Sequence, residues 1–261
     1  MFTRLLVGLD GSPQADAAFE QAVLLGRRFG STIVVAYVRE GGRRTGGRGG
    51  DGSDMLERAR VRVEAAGLRA EVVEREGPAD TILAELAKAS DATLVGRRGG
   101  TTTGDALGPT VSSLIRLAER CVIVCGGTPS PMRSCAVAFD GGVTSTRALE
   151  LAVRFASIVE STVHIIHANE NREAGLRVVG QAEAALSLQR VAFVTHVEPG
   201  SPGEAVARVI KRIHCDALFV GAHVPRVGGG GGGEGGRPSA VVVSHAEEIL
   251  RHTDLPVVIQ P

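Results

Sequence analysis

The sequence predicts an α/β chain made of two tandem doubly wound domains, each an open parallel sheet of five strands with helices on both faces. Three observations predict it. Residues 4–40 align without a gap on residues 134–170, at a constant offset of 130. Identical pairs include Val7 and Val137, Asp10 and Asp140, Gly11 and Gly141, Ala18 and Ala148, Glu20 and Glu150, and Thr32 and Thr162. Short apolar runs then alternate with amphipathic stretches in the same order in both halves, the pattern of parallel strands joined by crossover helices. Each half also opens on an apolar run that ends in Asp-Gly: "LLVGLDGSP" at 5–13 and "CAVAFDGGV" at 135–143.

The elements of the first half follow in order. "RLLVGL" reads as a strand buried on both faces. Ser12 offers an N-cap oxygen, and Pro13 suits the first helical position. Ala15, Ala18, Phe19, Ala22 and Val23 recur at helical spacing, and Gly30 can close the helix in left-handed geometry. "TIVVAYV" is the second strand. Gly41–Ser53, rich in Gly and Arg, reads as a loop. A helix over 54–66, a strand over 69–75, a helix over 79–89 and a strand over 92–96 come next. A loop, the helix "TVSSLIRLAER" and the strand "CVIVC" complete the copy. In the second half "CDALFVG" matches "SDATLVG", and "ILRHTDLPVVI" matches "LIRLAERCVIV". Gly and Pro cluster at Gly126–Ser134, which sets the expected domains at 1–127 and 133–261.

Composition narrows the function classes. Of 261 residues 43% are hydrophobic, enough for packed cores. No apolar run approaches the ~18–20 residues that span a bilayer, and no export signal is recognisable, so no membrane is expected. Four cysteines form no dense framework, which fits a reduced, cytoplasmic setting. Zero net charge, 3% aromatics and no Trp argue against nucleic-acid binding.

Ligands of open parallel sheets bind beyond the carboxyl ends of strands, where the strand order reverses. Asp10 ends the first strand and Gly96 the fourth. If these strands are neighbours, Asp10 and the stretch Gly96–Thr110 face one crevice. Small residues let backbone N–H groups approach an anion there, at the start of the next helix. Asp10 can accept hydrogen bonds from a ribose or an adenine amine. A plain turn or cap role for Asp10, and for Asp140, stands beside that reading.

On "VGLDGS", "LVGRRGG" and "LRHTDLPVVI" both halves resemble universal stress protein domains, over nearly the whole chain. The resemblance implies a sheet order of 3-2-1-4-5 in each half, hence adjacent first and fourth strands. ATP-binding members of that family share a motif of Gly, two residues, Gly, nine residues, then Gly and Ser or Thr. Here Gly96 and Gly99 match, but eight residues precede Gly108, and Pro109 replaces the hydroxyl residue. Pro109 lacks an N–H; it fits the first helical position, and Thr110 can supply a hydroxyl. Carried over by position, Asp10 contacts the nucleoside and Val38 and Val95 line its pocket. Gly96, Gly99, Gly108 and Thr110 hold the phosphates. The ligand implied is ATP or another adenine nucleotide, with Mg2+ as a companion ion.

In the second half the candidates are Asp140, Gly221 and Ser244. Val224 replaces the second glycine, Val243 stands in place of Gly108, and a polyglycine insertion fills Gly228–Gly236. The first half is therefore the expected site. The resemblance further implies that the halves pack as a pseudo-dimer through Cys121–Cys125 and Pro256–Gln260, and it is compatible with a homodimer of whole chains.

Other constellations carry less. Cys121 and Cys125 share a strand face and read as core side chains, not a metal pair. His164 and His167 point to opposite faces of a strand; His167 and His223 lie where the second crevice is expected. His214 beside Cys215 suggests a thiol–imidazole pair, away from either crevice. "RRTGGRGG" resembles an RNA-binding tract but reads as loop. For Arg97 and Arg98 two roles stay open, neutralising a triphosphate or standing solvated. No general base or metal set for turnover is recognisable, so the expected role is regulatory nucleotide binding in a stress response, with at most slow ATP hydrolysis. The alternatives are a scaffold that acts through protein partners and a slow nucleotide-using hydrolase or transferase.

Overall fold

A computed structural model describes residues 1–40, 52–99, 107–117, 119–187, 189–222 and 245–261. The first half comprises β1 (Arg4–Leu9), α1 (Pro13–Phe29), β2 (Thr32–Arg39), α2 (Gly52–Ala65), β3 (Arg69–Glu76), α3 (Ala79–Ala87), β4 (Ala92–Gly96), α4 (Pro109–Leu117) and β5 (Cys121–Cys125). The second comprises β6 (Cys135–Ala138), α5 (Val143–Val159), β7 (Val163–Ala168), α6 (Arg172–Leu186), β8 (Phe193–Glu198), α7 (Pro202–Arg212), β9 (Ala217–Gly221), α8 (His245–Arg251) and β10 (Val257–Gln260). The Gly/Arg tract, apart from its last two residues, lies outside the described residues, as do His223, Ser244 and the polyglycine run.

Local chemistry sets the boundaries. The Ser12 side chain accepts a hydrogen bond from Ala15 N at 3.2 Å, Pro13 opens α1, and Gly30 closes it at φ +67°. α2 begins two residues earlier than its apolar spacing suggests, and α3 stops at Ala87, two residues short. α4 begins at Pro109, whose missing N–H would have had no intrahelical partner.

The strands form one ten-stranded sheet in the order β3-β2-β1-β4-β5-β10-β9-β6-β7-β8. Pairing within each half is parallel, in the order 3-2-1-4-5. The halves join through the antiparallel pair β5–β10, with Val122 opposite Ile259 and Val124 opposite Val257. Pro256 lies just before β10, so its missing N–H costs the central ladder nothing.

Helices α1, α2, α5 and α6 cover one face over a core containing Leu5, Val7, Ile33, Phe155 and Phe219. Helices α3, α4, α7 and α8 cover the other over Leu6, Val95, Leu114, Leu218 and Ile249. Both cores run across the seam. On the first face the Phe29 and Phe155 rings, one from each half, have centroids 5.6 Å apart. The connection between halves is clamped by Gln21, fully buried in α1, which accepts from Ser130 N at 2.7 Å and donates to Ser130 O at 3.0 Å.

All four cysteines are buried thiols. Burial pushes Cys121, Cys125 and Cys135 up to about 12 and Cys215 to about 11, so at neutral pH they are core side chains rather than nucleophiles. His164 and His167 do face opposite sides of β7. His164 Nδ1 lies 3.1 Å from His196 Nε2 on β8, with the rings stacked. Burial lowers both pKa values from 6.5, and for His196 the neighbouring His164 and Arg212 lower it further while Glu198 opposes. A hydrogen bond between two imidazoles needs one of them to accept, so a doubly protonated pair loses it. The unfolded chain therefore binds more protons below about pH 6.5, and this stability is present above that pH and lost as the pH falls through the lowered folded values. The melting temperature should drop as the pH falls below about 6.5, less steeply in a His164→Gln chain; superimposable slopes would show that the pair contributes nothing.

Candidate functional site

β1 and β4 are hydrogen-bonded neighbours, with Val7 opposite Leu94. The chain leaves β1 toward one face of the sheet and β4 toward the other, so the turns after them form a crevice at the switch point. Asp10 reaches into it. Its Oδ1 accepts from Ser12 N at 2.9 Å, which fixes the turn. Its Oδ2 lies 2.9 Å from the place a Cβ on Gly99 would occupy, so only glycine lets the second turn come this close to the carboxylate. Gly108 N donates to Arg97 O at 2.9 Å, and a Cβ on Gly108 would lie 3.4 Å from Gly99 N. Arg98 N donates to Gln14 Oε1 at 2.8 Å, tying the same turn to the start of α1. Asp10, Gly96, Gly99 and Gly108 thus come together, and Thr110 stands half-buried in the first turn of α4. Residues 100–106 lie outside the described residues.

Val38 and Val95 border the same core, beneath α3 and α4. Between them runs β1, where a Cβ on Gly8 would meet Leu83 Cδ1 at 3.2 Å. Leu83 therefore forms the floor under the crevice. Sequence reasoning missed both Leu83 and Gln14. Gln14 carried a signal, a polar side chain one turn from Asp10; Leu83 carried none beyond its helical spacing.

Gly96 has a packing reason to be glycine. A Cβ there would lie 2.8 Å from Gln14 C, O and Cβ. The equivalent Gly221 is tighter, its Cβ falling 2.3 Å from Thr144 C. In both halves the helix after the first strand packs directly on the end of the fourth.

The second crevice is built differently. Asp140 Oδ1 accepts from Gly142 N at 2.8 Å and from the buried Ser145 hydroxyl at 2.5 Å, where the first half has Ala15. Only residues 169–171 separate β7 from α6, against 40–51 between β2 and α2. α6 therefore leans over the turn, and a Cβ on Gly141 would lie 3.3 Å from both Gln181 Oε1 and Val178 Cγ1. At Gly11 the same probe meets no described atom within 4 Å. His167, buried beside this crevice, donates from Nδ1 to Phe139 O at 2.8 Å and accepts at Nε2 from Asn169 Nδ2 at 3.3 Å. Both ring nitrogens are thereby engaged within the second half.

Neither role weighed for Arg97 holds. Its side chain is buried and crosses to the second half, where Nη1 donates to Leu250 O and Nη2 to Leu255 O, the latter at 2.8 Å. It is neither solvated nor turned toward the crevice, because the antiparallel seam brings α8 and the approach to β10 over it.

Fold and site define a doubly wound α/β protein that carries the same switch-point architecture twice. The universal stress protein family matches residues 1–126 and again residues 132–261, and the chain belongs to that family. A universal stress protein from Archaeoglobus fulgidus DSM 4304 is 20% identical with a TM-score of 0.73, the match covering 99% of this chain and 98% of that one. A protein of unknown function from Pseudomonas aeruginosa PAO1 is 17% identical with a TM-score of 0.71, over 99% of this chain and 92% of that one. These likenesses show the fold. No curated protein sequence matches the chain. Among the described residues no helix is long and apolar enough to cross a membrane.

Proposed function

We propose that this universal stress protein is a regulatory module that binds one adenine nucleotide, in the crevice of its first half. The observation that carries the reading is the contrast between the two crevices. In the first, the Asp10 carboxylate, the Gly99 turn and the start of α4 converge, and no described atom lies within 4 Å of a Cβ placed on Gly11. In the second, Gln181 and Val178 cover the equivalent glycine and Ser145 engages Asp140. Asp10 is suited to accept hydrogen bonds from a ribose. Backbone N–H groups at Gly99, Thr110 and Val111, with the N-terminal end of α4, are suited to phosphates. A Mg2+ ion would take its ligands from phosphate oxygens and water.

One observation favours the other reading, a scaffold that works through protein partners. Leu83 fills the space above Gly8, leaving a shallower crevice for a base. Calorimetric titration with ATP, ADP and AMP, sensitive to about millimolar affinity, decides between them. One bound nucleotide per chain is the expected result. No heat with any of the three would leave the scaffold.

A further inference from the structure

Arg97 belongs to the turn that faces Asp10, yet its guanidinium is spent on the other half. It is 8% exposed, and its two terminal nitrogens donate to Leu250 O and Leu255 O. Leu250 lies in the last turn of α8, where carbonyls lack intrahelical partners and the helix dipole favours a cation. Leu255 leads into β10, the strand that pairs with β5. Burial opposes the charge, and Asp254 nearby supports it. The Arg97 carbonyl meanwhile accepts from Gly108 N at 2.9 Å. One residue therefore holds the Gly96–Gly99 turn, Gly108 and the α8–β10 corner together. A second contact crosses alongside it: Arg116 in α4 lies 3.7 Å from the buried Glu247 in α8. Ala222 occupies the place of Arg97 after β9, and its methyl group can make none of these bonds.

We propose that Arg97 is a positioning residue, through which the second half holds the Gly96–Gly99 turn and Gly108 in the geometry that receives phosphate. The first-half site is thus completed by the second half, an inference that rests on the nucleotide reading above. Linkage makes the effect reciprocal: nucleotide in the first half steadies the α8–β10 corner.

The test uses the full chain as wild type, Arg97→Met and Arg97→Lys, with two readouts. ATP affinity by calorimetry should fall about tenfold or more in Arg97→Met, within the usual range of coupling between sites, and recover in part in Arg97→Lys. Amide exchange of the nucleotide-free chains should show protection falling together at 96–99, 107–110 and 250–256 in Arg97→Met, with β1 and β2 unchanged. Undiminished affinity in a folded Arg97→Met chain would overturn the proposal. So would protection lost at 250–256 alone, which would make Arg97 merely a cap for α8. If Arg97→Met does not fold, Arg97→Lys carries both comparisons. If wild type binds no nucleotide, the functional reading falls, while the exchange pattern still decides whether the turn and the corner are held as one unit.

Discussion

An Asp10→Asn chain should bind ATP about 10- to 100-fold more weakly than wild type, whereas Asp140→Asn should stay within about twofold, the two carboxylates being used differently. Asparagine keeps the carbonyl oxygen that accepts from Ser12 N, so the turn after β1 survives. What it removes is the charge beside the Gly99 turn. A hydrogen bond to a charged acceptor contributes about 1.5–3 kcal/mol, and that range sets the expected loss. Asp140 sits in the matching place, but Gly142 N and the Ser145 hydroxyl both donate to its Oδ1, and α6 covers the turn beside it. Losing charge there should perturb the local turn and leave nucleotide affinity alone. Calorimetry on both variants, with melting curves to confirm folding, makes the comparison. Equal losses would mean that both crevices take the ligand. Full affinity in Asp10→Asn would remove the carboxylate from the site.

Much of this arrangement was legible in the sequence because it rests on local rules. Ser12, Pro13 and Gly30 carry start and stop signals for α1 that do not depend on what lies above the helix. The Asp-Gly turn, repeated at an offset of 130, placed Asp10 and Asp140 at equivalent strand ends. Pairing across the sheet was not legible from periodicity; it came through the resemblance, and with it the adjacency of β1 and β4. What stayed hidden depends on distant elements. Nothing in "LVGRRGG" says that the first arginine turns away from the crevice, since its partners Leu250 and Leu255 are over 150 residues away and lie alongside only through the β5–β10 seam. The cover over the second crevice was half legible. The link between β7 and α6 is short, but its length does not say that Val178 and Gln181 come down on Gly141. Leu83 was invisible for a simpler reason: a leucine on the apolar face of a helix looks the same over a ligand floor as over ordinary core.

Gly221→Ala should lower stability by about 1–3 kcal/mol, toward the upper end, and Gly96→Ala by a smaller amount in the same range. The new Cβ at 221 would lie 2.3 Å from Thr144 C and 2.4 Å from Ser145 N, and at 96 it would lie 2.8 Å from Gln14 backbone atoms. Main-chain atoms cannot swing aside as a side chain can, so α5 must shift off the sheet or β9 must bend. At roughly 2–4 °C per kcal/mol for a chain of this size, the melting temperature should fall by several degrees. Gly180→Ala is the control. It lies within α6, no described atom beyond the adjoining turns of its own helix comes inside 4 Å of the added methyl, and replacing a helical glycine by alanine should raise stability by about 0.5–1 kcal/mol. A Gly221→Ala chain that melts with wild type would show that helix and strand are not in close approach there. The expected result bears on function as well. Glycine at the end of the fourth strand is required by helix packing in both halves, including the half whose turn is covered. That glycine therefore records the fold, and the case for a ligand rests on Asp10, Gly99 and Gly108, which converge in the first half.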